Sequence, residues 1–172
     1  MEIPTLRTER LLLRPFRPDD FELYAQMCAD PEVMRYLDPV PDRDAAFRGF
    51  CAGVGHWSVR GYGFWVLEEI DSGQPLGRAG LVRWEGRRDV EVGYALRRTA
   101  WGKGYATEAS RVALRYAHEV VGARGVVSVI DPANAASIRV AERLGAGFDR
   151  AESIKGFLLH VYRYPDPEPR PG

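Results

Sequence analysis

Three groups of residues have types and spacing that could do chemistry. In the run Trp101-Gly102-Lys103-Gly104-Tyr105-Ala106-Thr107-Glu108-Ala109, two glycines and a lysine precede a stretch in which Ala109, Val112, Ala113, Tyr116, Ala117 and Val120 recur at helical spacing. The first amides of such a helix have no internal partners and lie at the positive end of its dipole, and Gly102 and Gly104 lack the side chains that would keep a phosphate away. That chemistry suits a diphosphate. In the strand-like run before it, Glu91 is followed on its own face by Gly93 and Ala95, a carboxylate beside two minimal side chains that leave room for something narrow to pass. Asn134 and Ser137 form the third group, three residues apart on one side of a helix's first turn. Each group also has a plainer reading: a helix cap for the glycine run, a solvent-facing strand glutamate for Glu91, ordinary cap chemistry for Asn134 and Ser137. An exposed helix terminus alone gives an anion only about 0.3 to 1 kcal/mol, so a site needs several converging amides.

Periodicity supplies the elements that must position these groups. Residues 90–96 alternate as a strand, with Val90, Val92, Tyr94 and Leu96 on one face. Residues 105–121 read as a helix stopped by Gly122, and residues 126–130 as a buried strand. A strand-helix-strand crossover of this kind implies a parallel pair with right-handed connection, and places a ligand at the strands' carboxyl ends. Upstream, residues 11–16 read as a strand, Asp19-Asp20 as the cap of a short helix ended by Pro31, and residues 43–59 as a second helix weakened by Gly49, Gly53 and Gly55. Residues 64–70 and 76–84 flank a hairpin turn, and a second turn at 85–89 leads into the strand at 90, giving three antiparallel strands. Asn134 caps a helix that stops near Gly145, and two closing strands follow at 148–154 and 157–164. The expectation is one α/β domain over residues 1–164 with a mixed, mostly antiparallel sheet of about seven strands, followed by a proline-rich flexible tail at 165–172.

The commoner phosphate loops do not match these letters. A Walker loop needs Ser or Thr after its Gly-Lys pair, where Gly104 stands, and a dinucleotide fingerprint starting at Gly102 needs a third glycine where Thr107 stands. The segment instead resembles the acetyl-coenzyme A loop of the GNAT acetyltransferases, a Gln or Arg followed by two residues, Gly, one residue, then Gly or Ala. Gly104 and Ala106 fill the last two places; Trp101 fills the first, as is typical of the subgroup containing the RimJ and RimL protein N-terminal acetyltransferases. Thr8-Glu9-Arg10-Leu11-Leu12-Leu13-Arg14-Pro15, Glu91-Val92-Gly93-Tyr94, and the run from Asn134 to Gly145 are similar to further motifs of that subgroup, so the resemblance spans nearly the whole chain.

The resemblance implies a GNAT-like sheet with helices on both faces and acetyl-CoA as co-substrate, without a metal. It implies that Trp101, Gly102, Lys103, Gly104, Tyr105, Ala106 and Thr107 receive the pyrophosphate, with Arg98 or Arg139 adding charge. Val92, Tyr94 and Leu96 would flank the pantetheine arm, and Asn134 and Ser137 would contact it. Glu91 would face the acceptor amine as general base through water, Ser137 would protonate the leaving thiolate, and Glu108 would point away from the ligand. Many members use a tyrosine as that acid, but none occurs between Asn134 and Gly145. The expected activity is direct acetyl transfer to a primary amine, for which a peptide α-amine, with a reference pKa of about 7.7 to 8.0 against about 10.4 for lysine, is the chemically easier acceptor. A non-catalytic acyl-CoA sensor and an acetyltransferase of small-molecule amines or antibiotics remain alternatives. The acceptor pocket falls in the least recognisable segments, residues 36–61 and the last two strands. Homodimers are common in the family, so a homodimer is one expected state.

Composition narrows the classes. Hydrophobic residues make up 45% and charged residues 28%, a globular balance, and zero formal net charge gives no reason to expect nucleic-acid binding. Cys28 and Cys51 have no metal-ligand spacing and no evident activating histidine. No leader pattern or bilayer-length apolar run is legible, so a cytoplasmic protein is expected. Among 24 basic residues only Lys103 and Lys155 are lysines, and one stands in the glycine turn; a solvated turn residue is the equally simple account. His56, His118 and His160 receive no role, and Trp57, Tyr62, Trp65 and Trp84 are expected mostly in the core.

Overall fold

A computed structural model of the chain describes residues 2–37 and 41–168. Part of the expected acceptor segment, residues 38–40, and the last part of the tail, residues 169–172, lie outside the described residues. In chain order the elements are β1 (Leu6–Arg7), β2 (Leu11–Arg14), α1 (Asp20–Ala29), α2 (Pro31–Met34), α3 (Arg43–Arg60), β3 (Phe64–Glu69), β4 (Pro75–Val82) and β5 (Glu91–Leu96). A 3-10 turn at Arg98–Ala100 follows, then α4 (Tyr105–Glu119), β6 (Val127–Ile130), α5 (Ala135–Arg143), β7 (Gly147–Ile154) and β8 (Phe157–Arg163).

The strands form one sheet in the order β1-β2-β3-β4-β5-β6-β8-β7. Every pairing is antiparallel except β5 with β6, the parallel pair expected from the crossover through α4. The sheet has eight strands because two residues at Leu6–Arg7 pair with Leu12 and Leu13, a bridge too short to leave a period in sequence. Pro31 does stop α1, but it also starts the short α2, whose Glu32 amide is capped by the Asp30 side chain. Proline is tolerated at a helix's first position because the N–H it lacks would be unpaired there.

Alternation assigns the two faces. Trp65, Leu67, Ala79, Leu81, Val92 and Leu96 join the main core beneath α4, whose Ala109, Val112, Ala113 and Ala117 form the buried stripe read from sequence. Phe64, Arg78 and Ala95 face the other way, where α1 covers them: Arg78 lies over the Tyr24 and Phe64 rings, and Ala95 packs with Met27 and Val33. Helix α3 forms despite its three glycines because both ends are closed, by the Asp42 side chain on the Ala45 amide and by Gly61 at φ 78. It contributes Ala46, Phe50 and Trp57 to the buried set. Trp57, Tyr62 and Trp65 are core residues as expected, whereas Trp84 is exposed. Among the described residues no helix is long and apolar enough to cross a membrane.

Candidate active site

The glycine turn enters α4 through left-handed backbone. Gly102 and Gly104 hold φ 74 and 82, left-handed values that glycine adopts without strain, and no atom within 4 Å stands where a side chain on Gly102 would begin. Gly104 caps α4 with no side-chain hydrogen bond, unlike Asp42 on α3 or Asn134 on α5. Among the described residues none of the amides at positions 102–107 donates a hydrogen bond to another backbone group. Six consecutive donors at the positive end of a 15-residue helix are therefore left without a backbone acceptor.

The turn is tied down from behind. The Arg10 guanidinium donates to the Lys103 carbonyl at 3.0 Å and to Glu108 Oε2 at 2.6 Å, while the Thr8 hydroxyl and the Arg10 amide donate to Glu108 Oε1. Burial alone would raise the Glu108 carboxyl, but these donors hold it below the usual carboxylate range. Glu108 thus points away from the open amides, as expected, and the Thr8-Glu9-Arg10 segment is its partner.

Ahead of the turn, β5 and β6 part company. Val127 N donates to Val90 O at 2.9 Å, and Glu91 with Val127 is the one bridge between the strands. Since Val90 turns its carbonyl to β6, alternation turns the backbone groups of Val92, Tyr94 and Leu96 the same way. The Val92 carbonyl accepts from Ser128 Oγ at 2.8 Å, and the Leu96 carbonyl from the Trp101 indole at 2.8 Å. No ladder pair reaches Tyr94 from β6, so its amide and carbonyl line a slot that opens toward the glycine turn. At the closed end of the slot stands Glu91, half-buried; burial pushes its carboxyl up to about 7, while Arg87 and a hydrogen bond from the Val129 backbone act to lower it.

The third group meets the slot from above. Asn134 caps α5 by accepting from the Ser137 amide at 3.1 Å, and Tyr94 Oη donates to Ser137 Oγ at 3.0 Å. Tyr94 Oη thus ties β5 to the first turn of α5, three residues beyond Glu91 on the strand that leads to the glycine turn. On the Glu91 side of the sheet, a hollow of about 600 Å³ is lined by Arg87, Arg88, Arg150 and Arg163 against Asp89 and Glu152. Most of these charges are already paired, Arg87 with Glu152 and Arg150 with Asp89 among them.

A family model described as an acetyltransferase (GNAT) domain matches residues 10–147. The chain belongs to the GNAT acetyltransferases. It is 34% identical over 153 residues to YkkB of Bacillus subtilis (strain 168), covering 84% of this chain and 86% of that protein. It is 31% identical over 170 residues to the uncharacterized N-acetyltransferase p20 of Bacillus licheniformis, covering 93% and 94%. A crystal structure of an acetyltransferase from Agrobacterium tumefaciens superposes with a TM-score of 0.89 at 31% identity over 96% of both chains. The RimL ribosomal L7/L12 α-N-protein acetyltransferase in complex with coenzyme A shares the fold, with a TM-score of 0.78 at 16% identity over 95% of this chain and 98% of that one.

In this acetyltransferase several site neighbours had left little trace in sequence. Ser128 is the one hydroxyl in an apolar strand, a signal that was available; Tyr164, whose Oη lies 2.9 Å from Ser128 Oγ, stood at a strand end with nothing to mark it. Arg98, expected near the pyrophosphate, is engaged by Asp30 at 2.7 Å, so its charge is already partnered; Arg139 and Lys103 are exposed. Cys28 is buried with its thiol pushed up by burial, and Cys51 is exposed. Among the described residues no group of three or more His, Cys, Asp or Glu side chains could hold a metal ion.

Proposed function

We propose that this acetyltransferase moves an acetyl group from acetyl-CoA directly to a primary amine, with a peptide or protein amino terminus as the leading acceptor. The single observation that carries the reading is the continuity of open amides before α4 with the unpaired Tyr94 edge and the Glu91 carboxylate. The fit to acetyl-CoA rests on this chain's own groups. The amides at 102–107, with Lys103, Tyr105 and Thr107 beside them, would hold a diphosphate; the Val92, Tyr94 and Leu96 edge would hold an amide-bearing arm, with Asn134 and Ser137 beside it. When bound, acetyl-CoA supplies an activated acyl group as a thioester.

Glu91 takes a proton from the acceptor ammonium through water, and its nitrogen forms the new bond to the acyl carbon as the carbon–sulfur bond breaks. A base with its carboxyl near 7 matches an α-amine better than a lysine, whose reference value is about 10.4. Ser137, which receives a hydrogen bond from Tyr94, would hand its proton to the departing thiolate and recover one from the nitrogen, which sheds its second proton as the amide forms. Positioning is the larger contribution: well-oriented reactants save roughly 7 to 11 kcal/mol, and acid or base assistance is typically worth about 10²- to 10⁴-fold. No covalent intermediate is invoked: burial pushes the Cys28 thiol up even with Arg78 and Tyr24 beside it, and Cys51 lies exposed on α3. A sensor that only binds the thioester would have no use for a half-buried carboxylate at the end of the slot, which favours the enzyme reading. The RimJ and RimL likeness rests on the motifs, chiefly Trp101, and supports the α-amine.

Incubating the protein with acetyl-CoA and equal panels of free-α-amine peptides, N-blocked lysine peptides and small amines, with thiol release as readout, tests the acceptor. Turnover confined to free amino termini is expected; turnover only with small amines would overturn that acceptor.

A further inference from the structure

Parallel strands that pair at Glu91 and Val127 would ordinarily continue, with the Val129 amide donating to the Val92 carbonyl and the Tyr94 amide to the Val129 carbonyl. Neither bridge forms. A side chain occupies the place of one backbone partner: Ser128 Oγ donates to the Val92 carbonyl at 2.8 Å. A serine hydroxyl has one proton, and Ser128 uses it on Val92, so Tyr164 must be the donor in their 2.9 Å contact. That contact fixes the Ser128 rotamer from the opposite strand end. Ser128 and Tyr164 are 6% and 4% exposed, so this is a satisfied polar pair set in the core where a plain apolar pair would fill the volume without any desolvation cost.

We infer that Ser128, held by Tyr164, is a positioning residue that wedges β5 from β6 and so keeps the slot beside Tyr94 open before any ligand arrives. The inference rests on the reading of that slot as the coenzyme's. In the ligand-free protein the wedge spares the coenzyme the work of breaking two ladder bonds. The competing account is that the strands are parted by something else and Ser128 only satisfies a carbonyl already stranded.

Amide hydrogen exchange in the ligand-free protein separates the two, with calorimetric titration of acetyl-CoA as the second readout. If Ser128 is the wedge, Ser128→Ala lets the ladder close: the Tyr94 amide gains protection and acetyl-CoA binding weakens on the order of tenfold, the weight of one to two net hydrogen bonds. Ser128→Thr, which keeps the hydroxyl, holds Tyr94 fast-exchanging. Tyr164→Phe shifts both readouts in the alanine direction by less, and serves if the alanine variant does not fold. Unchanged Tyr94 exchange in both Ser128→Ala and Tyr164→Phe overturns the wedge. Failure of the unaltered protein to bind acetyl-CoA would instead sink the coenzyme reading, with Tyr94 exchange still deciding what parts the strands.

Discussion

Arg10 and Glu108 stand 98 positions apart and meet behind the glycine turn, with Arg10 Nε and Nη2 at 2.8 and 2.6 Å from the same Glu108 oxygen. The pair removes a carboxylate from the neighbourhood of six open amides and fastens the Lys103 carbonyl at the same time. Because Arg10 is exposed, the ion pair itself contributes at most about 1 kcal/mol to folding. Arg10→Ala should therefore leave the unfolding midpoint nearly unchanged while raising the KM for acetyl-CoA about tenfold with little change in kcat. Adding Glu108→Gln should recover part of that loss, because the freed charge is then gone; steady-state kinetics on the unaltered protein and the two variants checks it.

Glu91 titrates where activity would reveal it. With its carboxyl raised to about 7, the basic form grows as pH rises through that value, so kcat/KM should climb below about 7 and bend there. Glu91→Gln should lose that inflection and fall roughly 10²- to 10⁴-fold, leaving only the acceptor amine's own titration. The same shift carries a sign for stability. A carboxyl raised on folding favours the folded state most at low pH, and the benefit fades as pH rises from about 4.5 toward 7. The glutamine variant should lack that decline in denaturant titrations.

Gly104 is required by its φ of 82 rather than by crowding, since the nearest obstacle to a side chain is the flexible Arg10 terminus at 3.5 Å. Gly104→Ala should destabilise the fold by about 1 to 2 kcal/mol from left-handed backbone strain. Any relaxation of the turn redirects the amides that follow, so acetyl-CoA affinity should drop as well. Chemical denaturation and calorimetry on one preparation would register both.

The parts of this fold that sequence reveals are those with a period or a forced connection. The α4 stripe, the alternation across Val90 to Leu96, and the crossover that makes β5 and β6 parallel were all legible, and two glycines before a helix marked the turn whose amides lack backbone acceptors. What was hidden is pairwise. Nothing local connects Thr8 and Arg10 to Glu108, or Tyr164 to Ser128, because each contact depends on which distant strands become neighbours. Tyr94 was read for its backbone alone; that its hydroxyl reaches Ser137 on another element could not be seen from alternation. The two-residue β1 fell below the length at which a strand has any pattern.

Away from the site, Arg14 and Asp20 form a buried pair, and Arg14 Nε also holds Glu68 at 2.6 Å. Arg14→Ala leaves Asp20 without its cation and should cost about 3 to 5 kcal/mol. Burial would raise the Asp20 carboxyl, but Arg14 and the Arg17 amide outweigh it and hold the carboxyl below its usual value. That contribution is therefore present above about pH 4 and lost as pH falls through the depressed value. Urea unfolding at neutral and acid pH should show the wild-type advantage over the alanine variant shrinking in acid.

The most direct test of the central claim is an amide chemical-shift titration of the ligand-free protein with acetyl-CoA. Saturable shifts concentrated on residues 102–107, on Tyr94 and on the start of α5 are the expected result. Absence of saturable binding, or shifts confined to the opposite sheet face with the amides before α4 unmoved, would contradict it.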